Sequence, residues 1–119
     1  MNVEDFLQLP KAIDQAIQKG SSITSIVDEA ILRTGIGRCY YTAFLKGRDY
    51  LGLSGTFKKD IHKVVLEELK QKGMWGVASD LFDLKQLRIK ADYYPNEIVN
   101  NAMFLSALAL VNNLMITIP

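Results

Sequence analysis

Two stretches hold the side chains best suited to chemistry. Arg38-Cys39-Tyr40-Tyr41-Thr42-Ala43-Phe44 lies inside a proline-free run from Ser22 to Leu51. Arg88-Ile89-Lys90-Ala91-Asp92-Tyr93-Tyr94-Pro95 answers it roughly fifty residues later. Between them they place two arginines, one aspartate and four tyrosines among apolar neighbours. Arginine grips phosphate or carboxylate with a planar fork of donors. Tyrosine offers a flat face for stacking and a hydroxyl at its tip. An arginine on a helix heading for the core needs a partner, because an unpaired charge in apolar surroundings is costly. Asp92, between Ala91 and Tyr93, has the most apolar setting of any acidic residue here. The sequence therefore predicts that Arg38 pairs with Asp92 across the fold. That pair serves either as a structural tie or as the wall of a polar cleft that holds phosphate. Arg33 could join Arg38 and Arg88 in a basic pocket. Tyr40, Tyr41, Tyr93 and Tyr94 could supply stacking faces, and the same rings serve equally well as core packing.

The remaining reactive types are sparse. His62 is the sole histidine, so no histidine pair or cysteine pair completes a metal site. No serine-histidine-carboxylate set is arguable with it as the only base, and its place reads as a helix start or surface. Cys39 is the single cysteine. No intrachain disulfide can form, and the expected role is a small packed apolar residue. Gly35 and Gly37 are not a phosphate loop, since no strand precedes them and a third glycine is absent.

These side chains must be positioned by helices. Asn2 to Lys19 reads as a first helix, interrupted or restarted at Pro10, with Gly20 closing it. Ser21 or Ser22 can cap a long second helix. There Ile23, Ile26, Val27, Ala30 and Ile31 recur at helical spacing, and the pattern runs on to Leu51. Gly35 and Gly37 inside it cost about 1 kcal/mol each relative to alanine, which points to the close approach of another helix or to a kink. Gly52 to Thr56 reads as a turn. A third helix is expected from Lys58 to Lys72, with Ile61, Val64, Val65 and Leu69 inward. A fourth is expected from Trp75 or Gly76 to Ala91, with Val77, Leu81, Leu84 and Leu87 inward. Tyr94-Pro95 breaks it. Pro95 or Asn96 opens a fifth, apolar helix through Ile98, Met103, Leu105, Leu108, Val111, Leu114 and Ile116. The expected fold is all-α, an antiparallel bundle of four to five helices with one long central helix, as a single domain over residues 1–119.

Composition agrees with a globular chain of 119 residues, 49% apolar and 23% charged. Net charge is +1, yet residues 33–90 hold twelve Lys/Arg against six Asp/Glu. A moderately basic centre suits an anionic ligand, or simply solvated helix faces. No apolar run reaches the roughly 18 residues of a membrane span. The first residues lack the pattern of a signal peptide. The expected setting is cytoplasmic and reducing, without membrane association.

The combined pattern resembles the HEPN family of small helical domains. Arg38, Tyr40, Tyr41, Ala43 and Phe44 carry it on the long helix. Arg88, Ala91, Asp92 and Tyr93 carry it before the last helix, and His62 fits at the start of the third. The likeness spans about Ile23 to Leu114. It implies a helical bundle, usually a homodimer, working beside a nucleotidyltransferase-like partner in a toxin–antitoxin or anti-phage system. Many relatives are metal-independent endoribonucleases, with an arginine followed after four to six residues by a histidine. Here Arg88 is followed at those distances by Tyr93, Tyr94 and Pro95. Tyrosine titrates near 10 and is a poor base at neutral pH. The position of a modifiable tyrosine in the related pattern is Pro95. What the resemblance implies is therefore a module that dimerises and binds nucleotide or RNA phosphate, or a nucleotidyltransferase partner. The expected site residues are Arg38, Arg88, Asp92, Tyr41 and Tyr93, and no metal or cofactor is implied. The alternatives are an endoribonuclease with a variant site, for which Arg88 and Tyr93 are the catalytic candidates, and a structural helical adaptor.

Overall fold

A 25-residue helix, α2 (Ile26–Tyr50), forms the axis on which the other elements pack. At about 1.5 Å per residue it runs about 37 Å, close to the 43 Å long dimension of the molecule. The computed structural model describes residues 3–19, 26–55, 59–94, 96 and 98–119. Among them a 3-10 turn, Val3–Leu7, leads into α1 (Gln8–Gln18). After α2 come α3 (Ile61–Gln71), α4 (Trp75–Tyr93) and α5 (Asn101–Thr117). No strand occurs among the described residues. The fold is an all-α helical bundle, as the 3.6-residue spacing of apolar positions requires. The expected caps at Ser21 or Ser22, the closing Gly20, the helix start at Lys58 and the break at Pro95 fall outside the described residues.

The core follows from that spacing. Leu32, Ile36, Cys39, Tyr40 and Ala43 put one face of α2 inward, and all are buried. Val65 and Leu69 come from α3, Leu81 and Leu84 from α4, and Phe104, Val111 and Leu114 from α5. Each fully buried aliphatic side chain contributes about 1.5–3 kcal/mol. Towards its C-terminal end α2 is buried almost all round, including Thr42, whose hydroxyl donates to the Arg38 carbonyl at 2.8 Å.

The first helix restarts as expected: a 3-10 turn ends at Leu7, and Pro10 lies in the first turn of α1, where its missing N–H has no partner to lose. The start of the last helix needs correction. The last helix begins at Asn101 rather than at Pro95 or Asn96. Asn100 caps it, its side-chain oxygen accepting from the Met103 N–H at 3.0 Å. Ile98 therefore precedes α5 and is 78% exposed, while Val99 beside it is buried. Ile116, near the end of α5, is exposed.

Gly35 shows why α2 tolerates a glycine. A Cβ there would lie 2.8 Å from Ile13 Cδ1 and 2.9 Å from Phe104 Cε1, so α1 and α5 both close onto bare backbone. Helix α2 runs through it without interruption.

Candidate functional site

An open cleft of about 810 Å³ lies where α2, the C-terminal half of α4 and the N-terminal turn meet. From α2 come Thr34, Gly37, Arg38 and Tyr41. From α4 come Arg88 and Asp92, and Asp5, Phe6 and Gln8 complete the wall. On α2 the exposed positions Ile31, Thr34, Arg38 and Tyr41 recur every three or four residues, so one stripe of the central helix remains uncovered. Gly37 keeps the floor open, since nothing but Asp92 Oδ1, at 3.7 Å, lies near where its Cβ would stand.

The expected pair of Arg38 and Asp92 does not form. Asp92 is taken by Arg88, one turn earlier on its own helix, whose Nε donates to Asp92 Oδ2 at 3.1 Å. Both stand at the cleft, but neither is buried between helices. Arg38 is exposed, and water solvates a guanidinium there without any carboxylate. Among the described residues the Arg38 side chain makes no hydrogen bond or ion pair. It is an exposed cation in a cleft whose lining also holds Arg88, paired with Asp92, and Asp5. The structural tie is made elsewhere, by Arg33. Its Nη1 donates to the carbonyls of Ala91 at 2.8 Å, Lys90 at 3.2 Å and Tyr94 at 3.3 Å. Its Nη2 meets Glu29 Oε1 at 3.1 Å, and the same carboxylate oxygen accepts from the Val99 N–H at 2.9 Å. The Val99 amide and then Arg33 hold the Glu29 carboxyl below its usual range. Arg33 thus closes the C-terminus of α4 and is not part of the cleft.

Of the site residues expected from sequence, Arg38, Arg88, Asp92 and Tyr41 gather in one place. Tyr93 does not. It ends α4 with 64% of its surface exposed and lies outside the cleft lining, as does Tyr94. Tyr41 is 44% exposed and meets Phe6 edge-on, ring centroids 5.9 Å apart, which leaves ring surface to the cleft.

His62 stands second in α3, at the helix start expected of it, and is half-buried rather than on the surface. What the sequence did not show is its partners. Its ring stacks on Phe44 with centroids 4.2 Å apart and on Tyr40 at 5.6 Å, and the Tyr40 hydroxyl lies 2.5 Å from His62 Nδ1. Burial, then the charges of Lys85 and Arg88, depress its pKa. The lowered pKa favours the neutral imidazole at pH 7, and the ring tautomer sets which of the Tyr40 hydroxyl and His62 Nδ1 donates. The Arg88 guanidinium lies over the other partner, 5.4 Å from the Tyr40 ring centre. Burial raises the Tyr40 hydroxyl pKa strongly, and Arg88 offsets part of that. Arg88 thus belongs both to the cleft and to an aromatic ladder running from Tyr40 to His62. The signal for His62 was its phase: it shares the face of Val65 and Leu69, three and seven residues on, both buried. Likewise Arg88 continues the buried row of Leu81 and Leu84.

Cys39 is fully buried, and burial pushes its thiol up to about 12. Among the described residues no three His, Cys, Asp or Glu side chains gather where a metal ion could be held. No helix among them is long and apolar enough to cross a membrane. Comparison with family models, with curated proteins and with solved structures finds no match to this chain.

Proposed function

We propose that this chain is a HEPN-like helical module whose cleft binds the phosphate of a nucleotide or of RNA. In this reading Arg38 is the principal phosphate contact, Arg88 assists from α4, and Tyr41 supplies a stacking face. The observation that supports it is the Arg38 guanidinium, unpaired among the described residues and exposed at an 810 Å³ cleft. The module dimerises and docks a nucleotidyltransferase-like partner, in a toxin–antitoxin or anti-phage setting. The uncovered stripe of α2 and the outer side of α5 are the surfaces offered for those contacts. Titration with nucleoside triphosphates and short RNA at low salt tests the reading. A charge-assisted contact is worth about 1.5–3 kcal/mol, so Arg38→Ala is expected to weaken binding by about ten- to a hundredfold. No binding by the wild-type protein, even at low salt where phosphate contacts are strongest, would leave only the adaptor role.

A second reading has its own support. His62 comes within electrostatic reach of Arg88 through Tyr40 despite their separation in sequence. A neutral imidazole is competent as a base, which suits an endoribonuclease with a variant site. Metal-independent RNA cleavage lost in both Arg88→Ala and His62→Ala would favour it over binding alone.

A further inference from the structure

The far end of the bundle carries a second surface. There α2 finishes at Tyr50 and α3 turns into α4 at Trp75. Trp75 is 64% exposed, although tryptophan is on average well buried. Tyr50 is 38% exposed. Lys70 Nζ stands 5.9 Å from the Trp75 ring centre, and Lys72 Nζ stands 5.8 Å from that of Tyr50. Backbone fixes the arrangement. Gly73 turns with φ +79°, its N–H donating to the Lys70 carbonyl at 2.9 Å, and the Met74 N–H donates to Leu69 at 3.0 Å. Neither ammonium has a carboxylate partner among the described residues. Tyr50 lies twelve residues beyond Arg38 on α2, about 18 Å along the helix, so the surface is separate from the cleft.

We propose that this end is a stacking site for single-stranded nucleic acid, with Tyr50 and Trp75 as ring faces and Lys70 and Lys72 as phosphate contacts. Flat rings beside lysines match a strand that presents bases and phosphates alternately. An ammonium over an exposed ring is held weakly. A phosphate attracts it more strongly, and the ring it leaves is free for a base. A duplex keeps its bases stacked inside and gains only the lysine contacts. A lipid surface would call for aliphatic side chains free to insert, whereas Leu51, Leu53 and Met74 here pack against the core. Stacking tolerates any sequence, because every base has a π-face.

Trp75 is the chain's single tryptophan, so its emission reports on this surface alone. The full chain is titrated at low salt with short oligo-dT and oligo-U, with a duplex of equal length and with anionic phospholipid vesicles. The expected result is saturable quenching by single strands, with a log–log salt slope of about −1.4 for two phosphates. Lys70→Gln with Lys72→Gln should flatten that slope. By anisotropy of a labelled strand, Trp75→Ala should bind about 5- to 150-fold more weakly, while Trp75→Phe stays close to wild type. Circular dichroism confirms that the variants fold. Unchanged emission at high strand concentration overturns the proposal. So does equal quenching by the duplex, undiminished quenching in the double lysine variant, or a response to vesicles alone.

Discussion

His62 makes stability depend on pH in a window of its own. Its folded pKa is depressed below the ordinary 6.5. As pH falls below that value the unfolded chain takes the proton before the folded one does. The His62 contribution is therefore complete above pH 6.5 and is lost as pH falls towards the folded value. Urea midpoints should drop on going from about pH 7.5 to about pH 5.5, and His62→Gln should flatten that drop. Glu29 acts lower on the scale, its contribution being lost as pH falls below its usual 4.5. At the cleft, Asp92 and Arg38 should respond with opposite signs. Asp92→Asn releases Arg88 from its ion pair and removes a repelling carboxylate, so phosphate binding should tighten severalfold while Arg38→Ala weakens it. A calorimetric titration reads both, and loosening in Asp92→Asn would contradict the cleft assignment. Cys39 makes a simpler case. A buried thiol pushed up to about 12 should resist iodoacetamide in the native protein and react once per chain in denaturant.

At the scale of elements, Gly35 and Gly37 of α2 separate. Alanine at 35 gains up to about 1 kcal/mol of helix propensity, but its Cβ enters the contact between Ile13 and Phe104. Overpacking of that kind costs about 1–3 kcal/mol, so Gly35→Ala should lower the urea midpoint. Gly37→Ala meets only Asp92 at an ordinary distance and should raise it. The sequence offered both explanations for these glycines, close approach and kink, and the first holds at Gly35. Helix spans were legible because apolar residues recur with period 3.6 in α2, α3 and α4. The start of α5 was not, because Ile98 and Val99 continue the apolar run and only the Asn100 side chain decides where helical bonding begins. The cleft was legible in its residue types and not in its pairings. Whether Asp92 meets Arg38 or Arg88 depends on the rotation of α4 about its axis, to within a fraction of a turn, and spacing alone does not give that. His62 escaped for a related reason, since its partner Tyr40 lies on another helix, 22 residues away.

For the whole molecule, α5 raises the question of a second copy. Asn101–Thr117 contains no charged residue, and its outer side shows Leu105, Ala109 and Ile116 to solvent. A stable interface covers about 800 Å² per partner, a modest share of the 7033 Å² surface. Sedimentation at micromolar concentration should show a dimer, and Leu105→Lys should shift it to monomer. A wild-type monomer would remove the homodimer from the proposed function.

Arg33 reaches from α2 to the last carbonyls of α4 only five residues before Arg38. The clip that finishes α4 therefore also anchors to α2 the end of the helix that brings Arg88 and Asp92 to the cleft. Arg33→Lys keeps the charge and loses the fork. Its effect on phosphate binding should appear as faster release, since the wall that carries Arg88 would be less firmly moored.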